Sequence, residues 1–227
     1  LGATTSSTAT IPQNDLVVTT TFRTGDGSLR QAMINANAFP SDDTITFTVN
    51  GTIGLWSTTP LPTVTNNGTL TIIGNGTGNT IVHADFNFRL LEVASGAEVY
   101  ASDLMLTNGL DSSGGCVINA GELHLTNFAV SLCTASTGGA IRNDGTMTLT
   151  NGSIASGIAS AEGGAIRNDG ILTLTNTGIT SSSATTNGGG IYNNGTLTVN
   201  NSTLSGNTAA SGGNLYNLGT VTFRNSI

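Results

Sequence analysis

From residue 114 onward, apolar and polar residues recur in fixed columns, with a period of about 24 residues. Each repeat begins with a Gly-Gly pair, and the residue types that follow return in the same order. Thr146 to Thr150 alternates polar and apolar residues with the period of a half-buried β-strand. The first apolar column is Val117, Ile141, Ile166, Ile191 and Leu215. Such repeats predict an all-β fold, a parallel β-solenoid with three strands per coil.

Two columns of asparagine accompany the apolar columns. The first is Asn119, Asn143, Asn168, Asn193 and Asn217, and the second is Asn127, Asn151, Asn176, Asn201 and Asn225. Equivalent residues of stacked coils lie about 4.8 Å apart, so an amide can hydrogen-bond to the next coil. Such bonds satisfy polar groups that are costly to bury unpaired. We therefore expect both columns to form structural ladders.

Upstream of residue 114 the pattern is looser. Leu104 and Leu106 align with Leu123 and Leu125 at a spacing shorter than the regular period, which predicts a less regular coil. We divide the chain into an N-terminal cap over residues 15–65 and a β-helix over residues 66–227, regular from residue 114. Residues 1–14 are rich in Ser and Thr, and are expected to be a flexible tail or a strand donated to a neighbour.

One amphipathic helix is predicted within residues 26–37. Ser28 and Gln31 have the spacing of a capping box, and one helix face carries four apolar residues, Leu29, Ala32, Met33 and Ala36. A short helix ahead of a solenoid can cover the open end of its sheets. We expect this helix to be the N-terminal cap.

These patterns resemble the right-handed parallel β-helix repeats of bacterial cell-surface proteins, including polymorphic outer-membrane proteins and adhesin-like passengers. The segment from Gly27 to Ala32 is similar to the "CSLREA" motif of such proteins, with Gly27 in place of Cys and Gln31 in place of Glu. The resemblance implies a right-handed β-helix in a bacterial surface protein. It implies less about activity, because solenoids carry unrelated functions.

Composition excludes several classes of function. The chain has six Arg and no Lys, a net charge of −7 and only 8% charged residues, so no basic patch for nucleic acid is expected. No apolar stretch reaches the ~20 residues of a membrane helix. A surface built from Thr, Ser and Asn suits a secreted or cell-surface protein. Cys116 and Cys133 are close in sequence and fit either a disulfide or two small buried thiols.

One outward column carries residue types that favour binding. It consists of Ile118, Arg142, Arg167, Tyr192 and Tyr216, which we call the Arg/Tyr stripe. Stacked Arg and Tyr can form cation–π contacts and are common at binding hot spots. A glycan or a partner protein could dock along the stripe. Alternatively, these long side chains simply cover a flat sheet.

The candidates for catalysis are few. Asp144 and Asp169 occupy equivalent positions in neighbouring coils, where two carboxylates could bind a cation. Each follows an Arg-Asn pair, which favours a surface ladder of Arg and Asp instead. Asp42 and Asp43 suit a solvated loop or a helix cap, and His83 and His124 look like isolated surface residues. We expect no enzyme activity, no metal and no cofactor.

Three functions follow from the sequence. The first is a rigid, non-enzymatic adhesin, spacer or head-to-tail fibre subunit, and the second is a carbohydrate-binding or carbohydrate-active β-helix. The third is ice binding by outward threonines such as Thr148, Thr173 and Thr198, although Ile171 interrupts their lattice. The repeats stop in mid-coil, leaving an apolar end that more solenoid or another copy of the chain could cover. That end consists of Leu215, Val221, Phe223 and Ile227.

Overall fold

The computed structural model describes residues 16–56, 59–65 and 68–227. The expected tail, residues 1–14, lies outside the described residues. All strand pairs of the described part are parallel, and the strands stack coil upon coil in three sheets. The predicted parallel β-helix is therefore confirmed.

The strands fall into a twelve-stranded, a six-stranded and a three-stranded sheet. The twelve-stranded sheet contains Val17–Val18, Asp43–Phe47, Gly51–Gly54, Thr69–Ile73, Thr80–His83, Glu98–Thr107, Glu122–Ser131, Thr146–Ala155, Ile171–Thr180, Thr196–Asn200, Thr203–Ser205 and Thr220–Arg224. The six-stranded sheet contains Leu91–Val93, Val117–Asn119, Ile141–Asn143, Ile166–Asn168, Ile191–Asn193 and Leu215–Asn217. The three-stranded sheet contains Thr134–Thr137, Ile158–Glu162 and Ser183–Ala184.

The register confirms the repeat. Ile141 pairs with Ile166 and Ile166 with Ile191, as the columns predict. The predicted second and third strands of a coil are two halves of one long strand, for example Thr146–Ala155. The third strand of the regular coils is a separate segment, such as Ile158–Glu162. Its inward residues are small alanines rather than a conspicuous apolar column, which is why the sequence pattern does not mark it.

The shortened alignment of Leu104 with Leu123 is wrong. Leu104 pairs with Phe128, and Val99 is the partner of Leu123, so the regular spacing already holds one coil earlier. The error arises because Leu104 lies in the second half of a long strand, Glu98–Thr107, whose two halves have similar apolar spacing. The coil that begins at Leu91 is therefore in register with the regular ones.

The Gly-Gly pairs turn the chain between sheets. Their first members have φ between 60° and 67°, in the left-handed region that favours glycine. A Cβ on the second member would collide with backbone of the next coil, as at Gly139, where it would lie 2.2 Å from the Gly164 carbonyl oxygen. Both requirements explain why the pair recurs in every regular repeat.

The first asparagine column is a buried ladder, as predicted. Its amide-to-amide hydrogen bonds measure 2.8 Å from Asn119 to Asn143, 2.8 Å from Asn143 to Asn168 and 2.7 Å from Asn168 to Asn193. Each amide nitrogen also donates to backbone carbonyls at the turn, and the ladder continues to Asn217. The ladder satisfies buried polar groups of four successive coils, and its last member, Asn217, is exposed.

The second asparagine column is not a buried ladder. Its side chains are exposed or half-exposed, and φ lies between 47° and 53° at Asn127, Asn151, Asn176, Asn201 and Asn225. One amide contact joins two of its members, from Asn176 to Asn151 at 3.0 Å. Asn is among the few residues that tolerate the left-handed region. The backbone bend, rather than a hydrogen-bonded chain, accounts for this column.

The helix spans Leu29–Ala38, with Ser28 as its N-cap. The Ser28 hydroxyl accepts from the Gln31 amide at 3.2 Å, whereas the Gln31 side chain donates to Asn35, so half of the predicted capping box forms. The predicted apolar face is the buried one and joins the core that runs through the coils. Arg30 donates to the carbonyls of Thr59 and Pro60, which ties the helix to the following loop.

Cys116 and Cys133 form a disulfide, with an S–S distance of 2.00 Å and a Cα–Cα distance of 5.6 Å. Both residues are fully buried, and the bond crosses the interior of a single coil. The disulfide alternative of the sequence is therefore the one that the structure shows.

The last coil exposes part of its apolar surface. Leu215 and Val221 are half-buried and pack against the core, whereas Phe223 and Ile227 are 48% and 90% exposed. The strand Thr220–Arg224 pairs with Thr196–Asn200 along one edge.

Candidate binding surfaces on the coil faces

The Arg/Tyr stripe is in register along the six-stranded sheet. Arg142 pairs with Ile118 and Arg167, and Tyr192 pairs with Arg167 and Tyr216. Each member is the middle residue of a short strand whose first and last residues point inward. The alternation of a β-strand therefore places the stripe on the outer face, as predicted.

The two arginines of the stripe are engaged by acids. Arg142 Nε lies 2.9 Å from both carboxylate oxygens of Asp144, and its Nη2 lies 3.6 Å from Asp169. Arg167 bonds to Asp169 at 2.7 Å and to Glu162 at 2.6 Å. Arg142 thus sits between Asp144 and Asp169, so these two acids form a ladder with arginine, as the sequence favours, rather than a bare carboxylate pair.

The pKa of Asp169 is lowered within this ladder. Burial would raise it, but the hydrogen bond and charge of Arg167 outweigh burial. The pKa of Arg167 is raised, mainly by its hydrogen bond to Asp169. Both groups therefore stay charged at neutral pH, and neither is suited to exchange a proton.

The aromatic half of the stripe is packed against itself. The guanidinium carbon of Arg167 lies 5.1 Å from the centroid of the Tyr192 ring, which is the predicted cation–π contact. Tyr192 and Tyr216 stack with centroids 5.6 Å apart. Tyr192 is only 8% exposed, and burial raises its pKa. Tyr216 is the more accessible ring, so docking of a glycan or protein on the stripe stays a prediction that centres on Tyr216.

A second cluster lies on the outer face of the twelve-stranded sheet, and the sequence pattern did not reveal it. Glu98 pairs with Glu122 and Tyr100 with His124 across neighbouring strands. The His124 and Tyr100 rings stack with centroids 4.4 Å apart and an interplanar angle of 6°. The expectation that His124 is isolated is therefore wrong. We call these four residues the Glu/His cluster.

Hydrogen bonds link the Glu/His cluster internally. His124 Nε2 lies 3.0 Å from Glu122 Oε1, and the Tyr100 hydroxyl donates to Glu98 at 2.9 Å. The bond to Glu98 is the main reason that the pKa of Tyr100 is raised. One ligand atom each from Glu98, Glu122 and His124 lies within 4.8 Å of the other two. This set is one that could hold a metal ion, which the sequence did not lead us to expect.

The cluster was missed because of the shortened alignment of Leu104 with Leu123. In the true register, Glu98 falls on Glu122 and Tyr100 on His124. The residues of the Glu/His cluster are thus recognisable in the sequence, but the wrong register places Glu98 and Tyr100 away from Glu122 and His124.

The remaining candidates lie elsewhere. His83 is partly exposed, and its Nδ1 accepts from the Asp85 amide at 3.1 Å. Asp42 is exposed and accepts from the Thr69 amide. Asp43, expected in a solvated loop or cap, is instead the buried first residue of a strand. Every second residue of that strand points inward, and Asp43 is the first of these.

The outward threonines of the twelve-stranded sheet form a column in register. Thr148, Thr173, Thr198 and Thr222 are paired strand to strand. Ile171 interrupts the adjacent column, between Thr146 and Thr196. Ice binding by this face stays a prediction.

No helix among the described residues is long and apolar enough to cross a bilayer. Comparisons of the chain with protein-family models, with curated proteins and with solved structures found no match.

Proposed function

We propose that the chain is a rigid extracellular structural module, a β-helical spacer or adhesin-type stalk of a cell surface. The observation that carries this proposal is the asparagine ladder, which is buried from Asn119 to Asn193, ends at the exposed Asn217 and links every regular coil to the next. Such a stack resists bending because each coil is hydrogen-bonded along its perimeter to its neighbours.

The disulfide supports the extracellular part of the proposal. Disulfides persist in oxidising compartments and are rare in the cytosol. The bond between Cys116 and Cys133 closes a short loop inside a coil, where reductants have no direct access because both residues are fully buried. A surface without Lys and with few charges agrees with this placement.

The last coil suggests how such modules could continue. The strand Thr220–Arg224 offers a parallel edge beside the exposed Phe223 and Ile227. Further coils of solenoid or a second copy of the chain can pair with such an edge. We propose that a second copy of the chain can pair with this strand edge, and sedimentation at increasing protein concentration tests it: a single species at all concentrations would exclude the fibre form.

Force spectroscopy tests the spacer role. The chain is tethered at residue 16 and residue 227 and pulled with the disulfide intact. We expect unfolding in discrete high-force steps, with a total extension about 50 Å shorter than in the Cys116→Ala/Cys133→Ala variant, because the bridged loop cannot extend. Smooth extension at low force would contradict the rod, whereas equal extensions would show only that the disulfide had not formed.

The location requires its own experiment. Protease treatment of intact source cells should release peptides of this chain if it stands on the cell surface. Recovery of the chain only after lysis would contradict the extracellular assignment.

A further inference from the structure

The Glu/His cluster places like charges side by side. Glu98 and Glu122 occupy the same position on adjacent strands of the twelve-stranded sheet, an arrangement that is unfavourable without a compensating cation. Elsewhere in the described part of the chain, acidic side chains form ion pairs with arginine. These acids are Glu92, Asp111, Asp144, Glu162 and Asp169. Neither Glu98 nor Glu122 has such an arginine partner among the described residues; His124 is the ion-pair partner of Glu122.

The donor set suits a transition-metal ion. One imidazole nitrogen and two carboxylate oxygens are ligands of Zn²⁺, whereas Ca²⁺ takes oxygen ligands only, in larger number. The three ligand atoms lie within 4.8 Å of one another, and tetrahedral Zn²⁺ requires ligand atoms about 3.4 Å apart. Small rotations of the two glutamate side chains would close that difference.

Tyr100 holds the ligands in place. Its ring covers one face of the His124 ring, nearly parallel to it, so the imidazole has little freedom to rotate. Its hydroxyl donates to one carboxylate oxygen of Glu98, and the Thr69 hydroxyl donates to the other at 3.3 Å, so the Glu98 carboxylate is oriented from both sides. A partner that orients a metal ligand in this way raises affinity, because less ordering is needed on binding.

We propose that Glu98, Glu122 and His124 bind one Zn²⁺ ion on the outer face of the twelve-stranded sheet. Three protein ligands leave at least one coordination position open to water or to a donor from another molecule. The ion would neutralise the two carboxylates and cross-link two neighbouring coils at this face.

The test is isothermal titration calorimetry, in which ZnCl₂ is added to the tag-free, metal-stripped chain of residues 1–227. The variants are Glu98→Gln, Glu122→Gln and His124→Asn. Because the chain has two histidines, His83→Asn is the matched control for the loss of an imidazole. Thermal unfolding without metal checks that every variant is folded, and unfolding with metal provides a second readout through the stabilisation that binding confers.

We expect one equivalent of Zn²⁺ to bind the wild type and the His83→Asn variant and to raise the Tm of both. Loss of an outer partner of a ligand alone costs about 10–100-fold in affinity, so each ligand variant should lose about 100-fold or more. Absence of binding at ~1 mM Zn²⁺, a concentration that detects sites with a Kd below about 1 mM, would overturn the proposal. It would also be overturned if Glu98→Gln and Glu122→Gln bound like the wild type, or if His83→Asn lost binding as His124→Asn does.

Discussion

Asparagine has two different tasks in the same coil. Asn168 is fully buried and bonds to Asn193, Thr196 and Gly170 as a donor while it accepts from Asn143. Asn151 is exposed, and its backbone is in the left-handed region. The amide group is essential at the first position, and tolerance of a positive φ is essential at the second.

The same substitution should therefore cost much more stability at Asn168 than at Asn151. Asn168→Gly leaves buried partners without hydrogen bonds, and we expect the free energy of unfolding to fall by about 3 kcal/mol or more. Asn151→Gly keeps the bend, because glycine adopts a positive φ freely, and should change stability by less than about 1 kcal/mol. Urea unfolding of both variants measures the difference. Equal losses would show that the exposed column also depends on its amides.

At the scale of the strand, the coils interlock through residues of different size. Phe128 and Gly152 occupy equivalent positions in successive coils, and the ring fills the space beside the glycine. A Cβ at Gly152 would lie 2.2 Å from the Phe128 ring. In the following coils Thr177 and Ser202 occupy this column, and the Thr177 backbone amide donates to the Ser202 hydroxyl at 3.1 Å.

Gly152→Ala should consequently destabilise the protein by about 1–3 kcal/mol, because overpacking forces the ring to move. Gly178→Ala is the control on the next strand, since a Cβ there meets nothing within 4 Å, and we expect almost no change. In the Phe128→Ala background the added methyl group should cost nothing further. A double-mutant cycle by denaturant unfolding measures this coupling, and a Gly152→Ala cost that is independent of Phe128 would refute the interlock.

The elements show how far sequence reasoning reaches. The helix at Leu29–Ala38, the apolar columns and the buried asparagine ladder follow from periodicity, because each repeats a local requirement. The Glu/His cluster depends on the register that pairs Glu98 with Glu122. Alignment of the leucines, Leu104 on Leu123, gives a different register and so separates the two glutamates. The disulfide could not be decided from spacing alone, because the same two positions suit free thiols equally well.

At the scale of the whole molecule, the β-helix is a one-dimensional array in which each coil contacts its immediate neighbours. Nine strands of the twelve-stranded sheet succeed one another along the stack, which at about 4.8 Å per coil makes a column about 40 Å tall. Stability in such an array is the sum of coil and interface contributions. Damage at one coil should therefore spread to adjacent coils before it reaches the cap.

Hydrogen exchange of the Asn168→Gly variant measures this spread. We expect the largest loss of amide protection in Ile166–Asn168, with smaller losses in its paired strands Ile141–Asn143 and Ile191–Asn193. The helix Leu29–Ala38 and the strand Asp43–Phe47 lie several coils away, so their protection should equal that of the wild type. A uniform loss over all strands would mean that the protein unfolds as one cooperative unit. A graded loss would mean that a coil can open locally while the cap stays folded, as expected for a one-dimensional array.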